Sequence, residues 1–167
     1  MLPVLLMVEG AVITCRTCNS TYTFVRVGNT LQAKIIDLKT YGAISFSGET
    51  KAGPFWRQIL EGRKTQTIRE ARADGRPHVK VGRPVKLYWR VRMPKAKKIE
   101  LGLPHLIGVA EVTRYEPIIL EEVWDDEQNA VRDGFADLAE FREWFWDAYL
   151  EGDVYYVIGW EYPLLKV

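Results

Sequence analysis

Residues 62–69 read Gly-Arg-Lys-Thr-Gln-Thr-Ile-Arg, which sets Arg63, Lys64 and Arg69 among the hydrogen-bonding side chains of Thr65, Gln66 and Thr67. The mixture suits an anionic or polar ligand, with cations for attraction and hydroxyls and an amide for direction. A lysine close to other cations and shielded from water holds its proton less tightly and can act as a general base. A threonine hydroxyl becomes a nucleophile once a base removes its proton. Lys64 and Thr67 therefore form a candidate base and nucleophile, with Arg63 and Arg69 supplying repulsion and ligand contacts. The plainer alternative is that Lys64 binds phosphate while Thr67 bonds to backbone. Side chains three apart point to opposite faces of a flat strand, so the catalytic arrangement requires a turn or bulge, which Gly62 permits. Neither Lys64 nor Thr67 reads as core, so alanine at either is expected to leave the fold intact.

The elements that must position these residues follow from periodicity. Phe55, Trp56, Ile59 and Leu60 pair at i,i+4 and predict a short helix, with Pro54 at its start and Gly62 at its stop. The cations thus emerge where a helix gives way to an extended segment. Residues 74–77 (Asp-Gly-Arg-Pro) read as a charged loop. Residues 85–91 read as a strand with Leu87, Trp89 and Val91 on one face, followed by a Lys-rich connection over residues 94–104. Residues 106–112 give a second strand. Residues 121–134 are polar, acidic and partly helical. Asp137 and Glu140 form a D-x-x-E helix start, after which Leu138, Phe141, Phe145 and Ala148 make one apolar stripe, with Trp144 and Trp146 off it. Residues 155–160 close the pattern as a strand. Ahead of all this, residues 11–15, 21–27 and 31–38 read as three short strands, with turn signals at Asn19-Ser20 and Gly28-Asn29.

The octet resembles the G-x-K-x-x-T-[IV]-R signature of ASCH domains, small PUA-like β-barrel proteins. Four further blocks are similar to that family in the same order: residues 81–92 (VGRPVKLYWRVR), 106–113 (LIGVAEVT), 129–145 (NAVRDGFADLAEFREWF) and 155–162 (YYVIGWEY). The resemblance spans residues 43–167, about three-quarters of the chain. It implies an α+β, mainly β fold: a PUA-like barrel with two or three helices over residues 43–167, preceded by a β-meander extension over residues 1–42. Some bacterial ASCH proteins are amidohydrolases that deacetylate N(4)-acetylcytidine with a lysine base, a threonine nucleophile and a downstream glutamate acid. Matched by motif, the lysine falls on Lys64, the threonine on Thr67 and the acid on Asp133, one methylene shorter than the family's glutamate. The resemblance implies no metal and no cofactor. Two functions follow as expectations. One is deacylation of N(4)-acylated cytidine-like nucleosides or bases. The other is a non-catalytic RNA- or nucleotide-binding module, or a ribonuclease, using the same basic cleft.

Composition bounds these expectations. The chain has 167 residues, 47% hydrophobic and 12% aromatic, enough for one domain with a sizeable core. A formal net charge of +1 conceals a division: residues 51–98 carry fifteen Lys/Arg against three acids, and residues 111–153 carry three Arg against fourteen acids. Either a basic face awaits RNA or a nucleotide, or the two halves pair and cancel. Tyr88, with Arg90 two residues on, is the favoured base-stacking position; Trp89 and Trp160 are read as buried. Cys15-Arg16-Thr17-Cys18 supplies two of the four ligands a structural zinc needs, and no second pair follows, so two thiols or a single bridge is expected. Met1 to Val8 is too short to span a membrane and lacks a basic leader segment, which predicts a cytoplasmic protein with no membrane partner. The meander's exposed edge could pair two copies of the chain.

Overall fold

The computed structural model describes residues 12–14, 21–27, 30–36, 41–151, 154–162 and 164. Cys15, Cys18 and residues 1–8 lie outside them. The fold is α+β, built on a curled, mixed five-stranded sheet that closes half a barrel. Its strands are β4 (Gly42–Phe46), β7 (Gln66–Glu70), β8 (Pro84–Trp89), β9 (Leu106–Ile119) and β10 (Val154–Trp160), in the order β4-β8-β9-β10-β7. Only β4 and β8 run parallel; the other pairs are antiparallel. The three N-terminal strands, β1 (Val12–Thr14), β2 (Thr21–Val27) and β3 (Thr30–Ile36), form a separate antiparallel sheet.

β9 explains the curl. Its first half, residues 106–111, pairs with β8, and residues 112–119 pair with β10. Register shifts at Leu87/Tyr88 and Gly159/Trp160 add twist at both junctions. β8 alternates half-buried and buried positions along its length, so Val85, Leu87 and Trp89 face the core. Burying side chains of this size contributes about 1.5–3 kcal/mol each. Val91 departs from the expected face: it is 51% exposed, because the strand ends at Trp89 and Arg90 turns the chain with φ +42°.

Helices fill the open side. α1 (Phe55–Leu60) buries Phe55, Gln58 and Ile59 and follows a two-stranded ribbon of β5 (Glu49–Thr50) and β6 (Gly53–Pro54). α5 (Leu138–Glu151) opens as its sequence indicates: Glu140 N–H donates to Asp137 Oδ1 at 2.8 Å, and Ala136 N–H donates to Glu140 Oε2 at 2.8 Å. Five helical segments occur among the described residues, rather than two or three. The additions are α2 (Lys95–Glu100), inside the Lys-rich connection, and the division of the acidic stretch into α3 (Leu120–Val123) and α4 (Glu127–Arg132). α2 reads Lys-Ala-Lys-Lys-Ile-Glu, too polar to show an apolar period. Among the described residues no helix is long and apolar enough to cross a membrane.

Candidate active site

α1 ends at Glu61, and Gly62 follows with φ +73°, the left-handed position that terminates a helix. A Cβ on Gly62 would lie 2.9 Å from the Tyr162 ring. The turn sends Arg63 and Lys64 back across the helix end, where both backbone N–H groups donate to Gln58 O, at 2.9 and 3.2 Å. The octet then becomes β7, bonded to β10 from Gln66 to Glu70.

The far side of the site is the end of α4. Asp133 caps that helix, its N–H donating to Asn129 O at 3.0 Å, and Gly134 continues with φ +94°. Three ties clamp this corner to the octet: Thr65 N–H to Arg132 O at 3.0 Å, Gln66 Nε2 to Asn129 Oδ1 at 2.6 Å, and Ile68 N–H to Asp133 Oδ2 at 2.9 Å. A fourth runs through the ribbon: Gln58 Nε2 donates to Thr50 Oγ1 at 3.0 Å, and Thr50 Oγ1 donates to Gly134 O at 2.8 Å.

Lys64 and Asp133 meet inside this clamp. The Lys64 ammonium donates to Asp133 Oδ1 and to the Asp133 carbonyl, with both side chains buried. The Phe55 and Phe46 rings lie 4.2 and 5.7 Å from Lys64 Nζ at their centroids. Burial pushes the Lys64 pKa down, with Asp133 pulling the other way and Arg69 adding to the depression. Burial likewise pushes the Asp133 carboxyl up, opposed by Lys64, by the Ile68 N–H and by Arg69. Both shifts act against the ion pair and in favour of the neutral pair. Lys64 is thus a core residue, and Thr67 is buried as well, contrary to the expectation that neither belongs to the core.

Beside the pair lies a cavity of about 160 Å³, lined by Ser45, Phe46, Phe55, Thr67, Arg69 and Asp133 among others, with Phe135, Trp144 and Phe145 completing an aromatic wall. The Thr67 hydroxyl has no hydrogen-bond partner among the described residues. Arg69 Nη2 donates to Ser45 O at 2.6 Å, its guanidinium sits 5.3 Å from the Phe46 ring centroid, and burial lowers its pKa. Thr67, Arg69 and Asp133 therefore line one cavity, and Lys64 lies behind it, in contact with Asp133.

The other candidates lie elsewhere. Arg63 is exposed and pairs with Glu61 at 2.6 Å. Tyr88 packs on His105 at 5.2 Å between ring centroids, and Arg90 folds over Trp89 at 5.0 Å. None of the three lines the cavity. Trp89 and Trp160 are both buried. Sequence reasoning missed the cavity's Ser45 and Phe46, for which the Ser-Phe-Ser-Gly run at residues 45–48 was the available signal. Among the described residues no group of three or more His, Cys, Asp or Glu side chains gathers as metal ligands would.

No protein-family model, no curated protein and no solved structure matches this chain.

Proposed function

We propose that this chain is an amidohydrolase of the ASCH type, with a PUA-like barrel, that removes the acyl group from N(4)-acylated cytidine-like nucleosides or bases. The observation that carries this is the contact of the buried Lys64 amine with Asp133 beside a cavity lined by Thr67, whose hydroxyl has no partner among the described residues. Lys64, as the neutral amine, takes the Thr67 proton, and the threonine oxygen attacks the acyl carbonyl. Arg69 faces the same cavity and holds the negative oxygen of the tetrahedral intermediate. The C–N bond breaks as the proton returns to the departing exocyclic nitrogen, from Lys64 or relayed through Asp133. Water, deprotonated by Lys64, then cleaves the acyl-threonine ester, releasing a carboxylate and restoring the hydroxyl.

The cavity of about 160 Å³ is smaller than the roughly 300–1,000 Å³ that encloses a drug-sized ligand. It suits the acyl group and ring edge, with the sugar outside. A second function, nucleotide or RNA binding without turnover or with ribonuclease activity, draws on a specific feature. Both Asp133 oxygens are engaged, by Lys64 and by the Ile68 N–H, which leaves Thr67 and Arg69 to meet a ligand. Incubation with N(4)-acetylcytidine separates the two. An amidohydrolase releases acetate and cytidine in equal amounts over many turnovers, whereas a binding module saturates with the nucleoside and leaves it unchanged.

A further inference from the structure

We propose a second ligand site, independent of the first, in the hollow between the start of β4 and the turn entering β8, and infer that it takes a small phosphate ester. The hollow measures about 430 Å³, within the size range of small-molecule clefts, and shares no lining residue with the candidate active site. Tyr41, His78, Lys80 and Arg83 line it over an apolar floor that includes Val79 and Val112.

Three features give it chemistry. The first is uncompensated charge. Arg63, Arg72, Arg114, Arg132 and Arg142 each have a carboxylate partner nearby. Lys80 and Arg83 have none among the described residues, and no described Asp or Glu lines the hollow. The second is placement. Arg83 N–H donates to Lys80 O at 3.2 Å, closing a β-turn with Gly82 at its third position, φ +70°. The ends of such a turn lie within about 7 Å at Cα, so both cations can reach one phosphoryl group. The third is rigidity. Gly82 N–H donates to Val112 O at 2.8 Å, and Val112 N–H donates to Arg83 O at 3.1 Å, pinning the turn to β9. His78 is held likewise, by Glu70 O at 2.8 Å from its Nε2 and by the Tyr115 hydroxyl at 3.3 Å from its backbone N–H. A pinned turn bearing two cations with no carboxylate partner among the described residues, beside a tyrosine and an apolar floor, suits a phosphate carried on a small organic group.

The test is a titration of the full chain with inorganic pyrophosphate, with adenosine monophosphate and with a hexanucleotide, followed by amide NMR shifts. The monophosphate is expected to move resonances of Tyr41, His78 and Val112. Removing two charge-assisted bonds with Lys80→Ala/Arg83→Ala should weaken it at least about ten-fold. The control Lys95→Ala/Lys97→Ala removes equal charge from α2 and should change affinity less than about two-fold on the same scale. Absence of binding at millimolar monophosphate and pyrophosphate overturns the proposal. Equal loss in both double variants does so too, as does strong binding of the hexanucleotide alone.

Discussion

At the scale of residues, the Lys64–Asp133 pair dominates because both groups are buried and each is the other's charge partner. Removing one strands the other. Lys64→Met should destabilise by about 3–5 kcal/mol, the usual cost of breaking a buried pair from one side. Lys64→Met/Asp133→Asn should cost much less than the two single changes added together, because the neutral amide can still accept from the Ile68 N–H. Urea unfolding of the four proteins measures this; additive effects would show that the pair is not coupled. The pKa directions also set a pH dependence. Asp133 binds its proton more tightly folded than unfolded, so it favours the folded state at low pH, and that contribution is lost as pH rises from 3.8 through its folded value. Lys64 is depressed, so its contribution is present above 10.5 and lost as pH falls through its folded value. Relative to the neutral double variant, wild type should therefore lose Tm as pH rises above about 4 and regain it as pH approaches 10.5. Parallel Tm curves would contradict this. Thr67 and Arg69 were legible from the octet alone, because hydroxyl and guanidinium chemistry is local. The burial of Lys64 was not, since Phe46, Phe55 and Asp133 come from elements distant in sequence and only folding brings them over its amine.

At the scale of elements, the site depends on two chain reversals, after α1 and after α4. The octet's Gly62 is visible in sequence as a helix stop. Gly134 is a harder case, because its requirement arises from packing: a Cβ there would meet Lys64 Cδ at 3.0 Å and both Gln58 Oε1 and Phe55 Cδ1 at 3.1 Å. Gly134→Ala should thus cost about 1–2 kcal/mol for the left-handed backbone and a further 1–3 kcal/mol for overpacking. Gly75→Ala should cost only the first part, since φ there is +66° and nothing lies within 4 Å. A difference of less than about 1 kcal/mol between the two in urea unfolding would mean that the corner yields. The helix start at Asp137 was legible because a cap is a local motif, and Asp137→Ala should lower stability by about 1 kcal/mol. α2 was not legible, because Lys98 alone of its residues is buried and a single buried lysine leaves no stripe. Val91 was misplaced for a related reason: Arg90 adopts a left-handed turn that no residue type there announces.

At the scale of the whole molecule, the two oppositely charged stretches are joined by little ion pairing among the described residues. Among the described residues, Lys64–Asp133 is the one ion pair that joins residues 51–98 to residues 111–153; the others are internal to each stretch. Those remaining pairs are exposed or half-exposed, so solvent screens them and they add little stability. Raising salt from low to physiological levels should therefore leave Tm nearly unchanged while weakening any binding to nucleic acid steeply, because each neutralised phosphate releases a counterion. A large salt-dependent fall in Tm would show that the halves attract after all. Sequence carried β8 well, since its alternation survives in the burial pattern, whereas β10 buries its last four residues on both faces. It could not reveal that β4 runs parallel to β8, nor that β9 serves two partners, because pairing is a tertiary choice.

Acetate release from N(4)-acetylcytidine, compared across wild type, Thr67→Ser and Thr67→Ala, tests the proposed chemistry most directly. Thr67 lines the cavity with a hydroxyl that bonds to no described residue, so its loss would remove the proposed nucleophile while leaving both members of the Lys64–Asp133 pair in place. Wild type and Thr67→Ser should both release acetate, and Thr67→Ala should fall by at least about a thousand-fold while still folding, as when a nucleophile that acts in one unit with its base is removed. No acetate from wild type, or equal release from Thr67→Ala, would contradict an amidohydrolase at this site.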